Sequence, residues 1–255
     1  MLFVLYHIPE GVCDIIASVN GIIVVIPAFE PDGHLPQLVR RLKPAFHRFI
    51  VVDDGSCSAS TTFAELRSID GVTVLVHEAN RGKGAALKTA FAEVRRRFPD
   101  ATGVITVDAD GQHLPEDIRH VAQSLAENPD RITLGVRTFG PDTPFRSKFG
   151  NLWTLGEFRL LTGHSLRDTQ SGLRGIPGEL LSALLEIPGD RYDYEIRMLV
   201  RAVRQTGGIV QIPITTVYEN GNATSHFKPL ADTLNTQRAL IAEAFTARCG
   251  GRSHA

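Results

Sequence analysis

The sequence predicts an α/β fold, a single domain in which a mostly parallel central sheet is covered by helices on both faces. Short runs rich in β-branched residues alternate with longer stretches whose apolar residues recur at helical spacing, as they do in chains built from β-α-β units. The chain has 255 residues, of which 43% are hydrophobic, so it can bury the large core that such a sheet requires.

Six apolar runs are the predicted strands. They read as near-continuous hydrophobic segments, which is typical of parallel strands buried on both faces. They are residues 22–26, 49–52, 72–77, 103–107, 132–136 and 209–214. From about residue 138 to residue 193 the pattern is less regular, and no strand is predicted there.

Amphipathic helices are predicted between these strands, because apolar side chains recur every three or four residues and would form one stripe facing the sheet. Two such sets are Leu35, Leu38, Val39 and Leu42, and Leu87, Phe91, Val94 and Phe98. A third helix is expected to begin near Pro115, since proline is favoured in a first helical turn.

Two later segments are predicted as helices. Residues 145–161 combine aromatic, leucine and basic residues, which fits a helix at a membrane interface and, more simply, a helix that packs on the sheet with Trp153 in its core. Residues 230–249 carry Leu234, Ile241 and Phe245 near helical spacing, which indicates a second surface helix.

We predict one domain at residues 21–232, with an N-terminal extension at residues 1–20 and a C-terminal helix and polar tail at residues 233–255. Residues 1–8 are apolar but lack the basic flank of a signal peptide, so an extra strand or loop is expected there. No apolar run reaches the roughly 18 residues of a membrane span.

Composition argues against several classes of protein. A net charge of −1 disfavours a nucleic-acid binder that works by bulk electrostatics. The three cysteines, Cys13, Cys57 and Cys249, are widely separated and form no Cys-x-x-Cys pair. Neither a disulfide framework nor a zinc site is therefore expected, and a reducing cytoplasm fits best.

The most informative stretch, Val-Asp-Ala-Asp-Gly-Gln-His at residues 107–113, follows the fourth predicted strand. Asp108 and Asp110 lie two residues apart, a spacing that points both side chains the same way in an extended segment. With the amide oxygen of Gln112 they form a set of hard ligands suited to Mg²⁺ or Mn²⁺, with positions left open for substrate phosphates. An isolated Asp-x-Asp also fits a polar turn that caps the next helix.

The neighbouring predicted strands end in similar polar turns. Residues 27–30 follow the first strand, the Asp53-Asp54-Gly-Ser turn follows the second, and residues 80–84, Asn-Arg-Gly-Lys-Gly, follow the third. Because ligands of such sheets bind outside the carboxyl ends of the strands, we expect these turns on one rim.

The turns differ in the chemistry that they offer. Asp53 and Asp54 supply acceptors for a base or for ribose hydroxyls, whereas residues 80–84 open a helix whose free N–H groups and dipole favour an anion. The Walker A pattern is absent, and no Gly-x-Gly-x-x-Gly follows the first strand. A dinucleotide oxidoreductase is therefore disfavoured.

Taken together, these turns resemble the family 2 glycosyltransferases of the GT-A (Rossmann-like) fold, in particular the dolichyl-phosphate mannose synthase-like branch that makes polyprenyl-phosphate sugars. The resemblance covers about residues 21–232. The matching segments are Val25-Ile-Pro-Ala-Phe-Glu30, Val51-Val-Asp-Asp-Gly-Ser56, Asn80-Arg-Gly-Lys-Gly-Ala85, Val107-Asp-Ala-Asp-Gly-Gln-His113, Gly135-Val-Arg137 and Asp168-Thr-Gln-Ser-Gly-Leu-Arg174.

The resemblance implies an enzyme that moves a hexose, with inversion, from a nucleotide-diphosphate sugar of the GDP-mannose or UDP-glucose type to a polyprenyl or dolichyl phosphate. Its implied cofactor is Mg²⁺ or Mn²⁺, held by Asp108, Asp110 and Gln112. Its implied location is the cytoplasmic face of a membrane, reached by peripheral binding or through a separate membrane-anchoring protein. No nucleic-acid partner is expected.

The resemblance also implies three groups of site residues. The donor-binding group is Pro27, Ala28, Phe29, Glu30, Asp53, Asp54, Lys83, Asp108 and Ala109. The acceptor-binding group is Arg137, Arg146, Gln170, Ser171 and Lys228, the last in a Ser-His-Phe-Lys segment similar to one of the family. The catalytic group is Asp110, Asp168 and Arg137.

Two acidic residues keep alternative roles. Asp168 is a base for a hydroxyl acceptor, or a group that only orients Arg174 or the sugar. Glu195 is similar to a family acidic position on a helix, or is a solvated helix carboxylate. Two functions accordingly stand as alternatives to the leading one: a family 2 transferase with a hydroxyl acceptor, and a nucleotide-sugar-binding subunit without turnover.

Overall fold

The computed structural model describes residues 19–137 and 145–215, and of residues 145–153 it describes the backbone alone. The strands in these ranges are β1 Ile22–Ala28, β2 Phe49–Asp53, β3 Val72–Val76, β4 Gly103–Thr106, β5 Ile132–Arg137, β6 Arg174–Pro177 and β7 Ile209–Ile214. The helices are α1 His34–Leu42, α2 Ser60–Arg67, α3 Lys83–Arg97, α4 Pro115–Glu127, α5 Phe145–Thr162, α6 Leu181–Leu185, preceded by a 3₁₀ turn at Gly178–Leu180, and α7 Tyr192–Thr206.

One sheet contains all these strands, in the order β3-β2-β1-β4-β6-β5-β7. Neighbouring strands are parallel except around β6, which runs antiparallel to both β4 and β5. The six predicted strands are all present, with ends that differ from the prediction by at most two residues. The predicted mostly parallel sheet is therefore confirmed.

The prediction missed β6. Its four residues, Arg-Gly-Ile-Pro, contain one large aliphatic side chain, and glycine and proline are both disfavoured in strands. Ladder pairing with β4 and β5 makes this segment a strand, and such pairing leaves no periodic signal in its own sequence.

Successive side chains of β1 point to opposite faces of the sheet and show that helices cover both faces. Ile22, Val24 and Ile26 face a layer formed by α1, α2 and α4. Ile23 and Val25 face the opposite layer, which includes α3, α6 and α7. Each of these buried side chains stabilises the fold by about 1.5–3 kcal/mol, so both faces of the strand hold the domain together.

Helix α5 contains the segment 145–161 that was predicted to be helical, and ends one residue later. Phe158 is fully buried in a cluster with residues of α7, whereas Leu160 is 85% exposed. The second half of α5 therefore packs on the core and still presents a leucine to solvent. None of the helices in the described ranges is long and apolar enough to cross a bilayer.

Several predicted features lie outside the described residues. They are the side chains of Arg146 and Trp153, the segments 1–8 and 230–249, and the Ser-His-Phe-Lys segment that contains Lys228.

The carboxyl ends of β1, β2 and β4 meet at one edge of the sheet. Ala28 pairs with Asp53 where β1 and β2 end, and Val25 pairs with Thr106 where β4 ends. The turns that follow these strands therefore share one rim, as the sequence predicts.

Candidate active site

Two acidic residues shape the turns after β2 and β3. Oδ1 of Asp53 accepts a hydrogen bond of 2.9 Å from the N–H of Ser56, three residues later, which holds the turn after β2 in shape. Asp54 is 3% exposed, and its two carboxylate oxygens accept hydrogen bonds of 2.9 Å and 2.8 Å from the N–H groups of Arg81 and Gly82. Asp54 therefore holds, from inside the protein, the turn that leads into α3.

His77 supports Asp54 on its other side. Its Nδ1 lies 2.7 Å from Oδ1 of Asp54, and its Nε2 lies 2.9 Å from Oγ1 of Thr89 on α3. The sequence predicts that free N–H groups of the 80–84 turn bind an anion. In the structure, the N–H groups of Arg81 and Gly82 donate to Asp54 instead. Attraction of an anion at this turn consequently depends on the helix dipole and on Lys83.

Glu30 joins the turn after β1 to the turn after β2. Its N–H donates a 2.8 Å hydrogen bond to Oγ of Ser56, and its carboxylate accepts hydrogen bonds from the N–H groups of Cys57 and Ser58 and from the Ser58 hydroxyl. The φ of Glu30 is 49°, in the left-handed region that non-glycine residues seldom adopt. The surrounding hydrogen bonds hold this conformation and keep the two turns in one arrangement.

Lys83, the first residue of α3, reaches the carboxylate that follows β4. Its Nζ lies 2.7 Å from Oδ1 of Asp108 and 3.0 Å from Oε2 of Glu195. Burial acts to lower the pKa of Lys83, but the charges of Asp108 and Glu195 outweigh it and raise that pKa above its ordinary value. Burial likewise acts to raise the pKa of Asp108, but Lys83 and then His113 hold it well below its usual range. Both groups are therefore charged at neutral pH.

Glu195 connects this ion pair to a buried arginine. Its Oε1 lies 3.5 Å from Nη2 of Arg174, a side chain that is 1% exposed. Arg174 also donates hydrogen bonds to the backbone oxygens of Ser171 and Glu195 at 3.0 Å and 2.9 Å. The side chains of Asp108, Lys83, Glu195 and Arg174 thus alternate in charge from the rim into the core. Glu195 is 7% exposed, so of its two predicted roles the solvated helix carboxylate is wrong.

The second carboxylate of the Asp-x-Asp pair faces solvent. Oδ1 of Asp110 accepts a 3.1 Å hydrogen bond from the N–H of Gln112. The protein nevertheless removes water from part of this exposed carboxylate, and this desolvation and then the negative charge of Asp108 raise the pKa of Asp110. Two carboxylates that repel one another are stabilised by a cation between them, and oxygen donors of this kind suit Mg²⁺ or Mn²⁺.

A buried histidine nitrogen lies beside Asp108. Nε2 of His113 is buried without a hydrogen-bond partner and lies 3.5 Å from Oδ2 of Asp108. In the part of the chain that the structure describes, His, Cys, Asp and Glu side chains form no metal-ligand group of three or more. A cation here would therefore depend on Asp108, Asp110 and the Gln112 amide, with further ligands supplied by the phosphates of a substrate.

Gly172 brings a second segment against Asp108. A Cβ atom at this position would overlap the Asp108 carboxylate. Oγ1 of Thr106 donates a 2.7 Å hydrogen bond to the Gly172 carbonyl and fixes the approach. Only glycine fits this contact, which places residues 168–174 beside the carboxylates.

In that segment Asp168 is fully buried and is paired with Arg137 at the end of β5. Nε of Arg137 lies 2.6 Å from Oδ2 of Asp168, and Nη2 lies 3.1 Å from Oδ1, a bidentate pairing. The N–H of Gln170 donates to Oδ1 of the same carboxylate at 2.9 Å. Asp168 therefore orients Arg137 rather than the Arg174 of the sequence-based alternative.

Four further predicted residues of the described ranges lie at or just beyond the ends of β1 and β4, on the same rim. Pro27 and Phe29 are half-buried, Ala28 is buried at the end of β1, and Ala109 packs against the layer of α1, α2 and α4. Ser171 is buried.

Sequence reasoning missed three contributors to this site: His77, Gly172 and the bridging role of Glu195. Each acts through a residue distant in sequence, as when Glu195 of α7 meets Lys83 of α3. Two of them carried a signal: Glu195 is similar to a family acidic position, and Gly172 belongs to the matching segment at residues 168–174.

Comparison with known proteins supports the resemblance. Residues 23–176 match the model of the family described as glycosyl transferase family 2. The UDP-N-acetylglucosamine–dolichyl-phosphate N-acetylglucosaminyltransferase of Methanococcus voltae is 29% identical over 77% of this chain and 86% of its own length. The polyprenol monophosphomannose synthase of Mycolicibacterium smegmatis is 29% identical over 76% of each chain.

The fold is similar to that of glucosyl-3-phosphoglycerate synthase from Mycobacterium tuberculosis. Its crystal structure with Mn²⁺, UDP-glucose and phosphoglyceric acid superposes with a TM-score of 0.68 at 21% identity, covering 96% of this chain and 86% of the synthase chain. Since the family model spans more than half of the 255 residues and the fold agrees, the chain is a glycosyltransferase that belongs to glycosyl transferase family 2.

Proposed function

We propose that this glycosyltransferase moves a hexose from a nucleotide-diphosphate sugar to a polyprenyl phosphate, with inversion at the anomeric carbon and with the help of a divalent cation. One observation carries the proposal: Asp108 lies beside the N-terminus of α3, where Lys83 contacts it, and Asp110 follows it two residues later. A cation-binding pair of carboxylates next to an anion-binding helix start suits a metal-bound diphosphate.

The donor would occupy the rim formed by the turns after β1, β2 and β3. Asp53, held by its hydrogen bond from the Ser56 N–H, supplies an acceptor for the base, and Glu30 keeps the first two turns together. Lys83 and the dipole of α3 attract the diphosphate. Asp54, whose carboxylate already has three internal partners, serves by holding the Arg81-Gly82 turn in place.

Asp108, Asp110 and Gln112 would hold Mg²⁺ or Mn²⁺ against the diphosphate. When bound, the cation neutralises the negative charge that develops on the departing nucleoside diphosphate, a contribution of several kcal/mol to the transition state. Burial and then the charge of Asp108 raise the pKa of Asp110, and a cation bound between the two carboxylates would relieve their repulsion.

The acceptor phosphate would attack the anomeric carbon from the side opposite the diphosphate. A bond from the phosphate oxygen to this carbon forms as the bond to the diphosphate oxygen breaks, so the configuration inverts. A phosphate anion is already a nucleophile, and basic side chains that position it matter more than a general base. Arg137, oriented by Asp168, is the described candidate, with Gln170 and Ser171 in the same segment and with Arg146 and Lys228 assigned from the sequence.

The hydroxyl-acceptor alternative requires Asp168 as a general base. This carboxylate is fully buried and makes a bidentate pair with Arg137. Deprotonating a hydroxyl would require it to leave that partner, so the geometry favours the phosphate acceptor. Membership in a family of transferases likewise favours turnover over a binding subunit without activity.

The relatives support the same acceptor class. The proteins of Methanococcus voltae and Micrococcus luteus are named for transfer to dolichyl phosphate and undecaprenyl phosphate. The mycobacterial structural neighbour was crystallised with Mn²⁺ and UDP-glucose, which is consistent with a divalent cation and a nucleotide-sugar donor here. Because a polyprenyl phosphate is a membrane lipid, we propose that the enzyme acts peripherally at the cytoplasmic face of a membrane, alone or with an anchoring protein.

A transfer assay tests the proposal. The purified chain is incubated with Mn²⁺ and each of GDP-mannose, UDP-glucose and UDP-N-acetylglucosamine, with a polyprenyl phosphate or a sugar alcohol as acceptor, and products are identified by mass spectrometry. We expect one donor to yield a polyprenyl-phosphate sugar in a metal-dependent reaction. Transfer to the sugar alcohol alone would establish the hydroxyl-acceptor alternative, and donor binding without hydrolysis or transfer would indicate a binding subunit.

A further inference from the structure

The Lys83 ammonium forms an ion pair with Asp108, one of the two carboxylates assigned to the cation. Its Nζ contacts Oδ1 of Asp108 at 2.7 Å, and the Lys83 side chain is 18% exposed. Mg²⁺, for example, binds its oxygen ligands at about 2.0–2.1 Å. Cation and ammonium would then share one carboxylate, and their like charges would repel one another at short range in a largely buried site.

The backbone that carries Lys83 is fixed. A Cβ on Gly84 would lie 2.6 Å from Cβ of Tyr194, and the N–H of Ala85 donates a 2.9 Å hydrogen bond to the carbonyl of Asp190. The start of α3 is therefore locked against the residues that lead into α7. What can move is the flexible four-carbon stem of the Lys83 side chain.

Glu195 offers Lys83 a partner that does not depend on Asp108. It lies 3.0 Å from Nζ, and Arg174 fixes it through contacts with its carboxylate and its backbone carbonyl. The ammonium can therefore leave Asp108 and pivot about Glu195 without becoming an unpaired buried charge, which would be costly.

We propose that Lys83 is exchanged between Asp108 and the donor diphosphate, and that this exchange couples nucleotide binding to cation binding. The inference rests on the proposed function. Without nucleotide, the ammonium competes with the cation for Asp108. With nucleotide, the diphosphate draws the ammonium to itself and releases Asp108 to the cation, so each ligand strengthens the binding of the other by the same factor.

Binding measurements on the full chain test this without any turnover. Mn²⁺ binding is followed by the electron paramagnetic resonance signal of free Mn²⁺, and UDP and GDP binding by calorimetry, each with and without the other ligand. The variant is Lys83→Gln, with Lys83→Met as a second neutral variant that keeps an apolar stem. Lys43→Gln is the matched control, because this substitution removes the same charge. Lys43 lies near Phe49, at the end of β2 opposite to the rim.

For the wild type we expect nucleotide to tighten Mn²⁺ binding by roughly 10-fold or more, within the range usual for coupled sites. Lys83→Gln should bind Mn²⁺ alone about 5-fold or more tightly than the wild type, bind nucleotide more weakly and lose most of the coupling, whereas Lys43→Gln should match the wild type.

Two results would overturn the exchange. In the first, the wild type binds nucleotide and Mn²⁺ together, but both Lys83 variants bind Mn²⁺ no more tightly than the wild type does. This result would refute the exchange and leave the proposed function standing. A wild type that binds neither UDP nor GDP in the presence of Mn²⁺ would overturn both. Circular dichroism spectra like that of the wild type establish that each variant is folded.

Discussion

Lys83 and Asp108 form an ion pair of 2.7 Å that joins the start of α3 to the turn after β4. The two residues belong to segments whose expected ligands have opposite charge, an anion at the helix start and a cation at the Asp-x-Asp pair. Their contact places the expected anion site and the expected cation site next to each other, separated by the length of the Lys83 side chain. This relationship underlies both the proposed transfer reaction and the proposed coupling of its ligands.

Removing Asp54 should destabilise the fold. Asp54→Ala loses hydrogen bonds to the N–H groups of Arg81 and Gly82 and to His77, and we expect the free energy of unfolding to fall by about 3–5 kcal/mol. Thr89→Val removes only the distal contact of His77 and should cost about 1 kcal/mol. Urea unfolding measures both. A loss below about 1 kcal/mol for Asp54→Ala would contradict a structural role for this carboxylate.

Gly172→Ala should damage catalysis through Asp108. The added Cβ overlaps the carboxylate and must displace it, and a shift of about 1 Å in a reacting group can cost up to about 100-fold in rate. We expect kcat to fall by at least about 10-fold. Gly33→Ala is the control, since a Cβ at that position would meet no atom within 4 Å and the φ of Gly33 is −69°. Equal activity of the two variants would refute the close contact at Gly172.

Arg146→Ala tests the acceptor side. Loss of a charged hydrogen bond should raise the activation free energy that corresponds to kcat/KM for the polyprenyl phosphate by about 1.5–3 kcal/mol, and so lower kcat/KM. The affinity for the nucleotide sugar should stay unchanged. Arg146→Lys should recover part of the loss, because lysine lacks the bidentate fork. Arg131→Ala, which removes an exposed arginine paired with its neighbour Asp130, serves as the control. Weaker donor binding with an unchanged acceptor dependence would favour the hydroxyl-acceptor alternative.

Vesicle binding tests the peripheral location. We expect the chain to sediment in part with anionic liposomes at low ionic strength, and less so as salt screens the attraction. Leu160→Gln should weaken the binding, because Leu160 is 85% exposed on α5, whereas Val76→Gln on the edge strand β3, where Val76 is 57% exposed, should not. No sedimentation at any ionic strength would point to an anchoring protein instead.

The strands and the rim were predictable because both depend on local patterns. Buried parallel strands appear as apolar runs, and Asp53, Lys83 and Asp108 each stand next to such a run or at a helix start. Parallel packing then places the ends of β1, β2 and β4 on one edge, so residues far apart in sequence could be expected to meet.

Other features depend on long-range packing that no local pattern records. β6 is a strand because of its partners, and Glu195 reaches Lys83 only because α7 packs against α3. The N–H groups of Arg81 and Gly82 would suit an anion in an isolated turn, but Asp54, 27 and 28 residues earlier, takes them. Sequence reasoning therefore placed these turns on one rim of the sheet and missed the contacts that hold them there.

The most direct test of the central claim is the Mn²⁺ dependence of sugar transfer to a polyprenyl phosphate by Asp110→Asn. This change removes a charge from the cation site with little change in volume. We expect it to lower the rate at limiting Mn²⁺ by about 100-fold or more while the protein stays folded, and Asp108→Asn to act slightly less severely. Asp130→Asn, at a surface carboxylate with 69% side-chain exposure, should leave the rate unchanged. Full activity of Asp110→Asn at limiting Mn²⁺ would contradict the assignment of Asp108 and Asp110 to the cation.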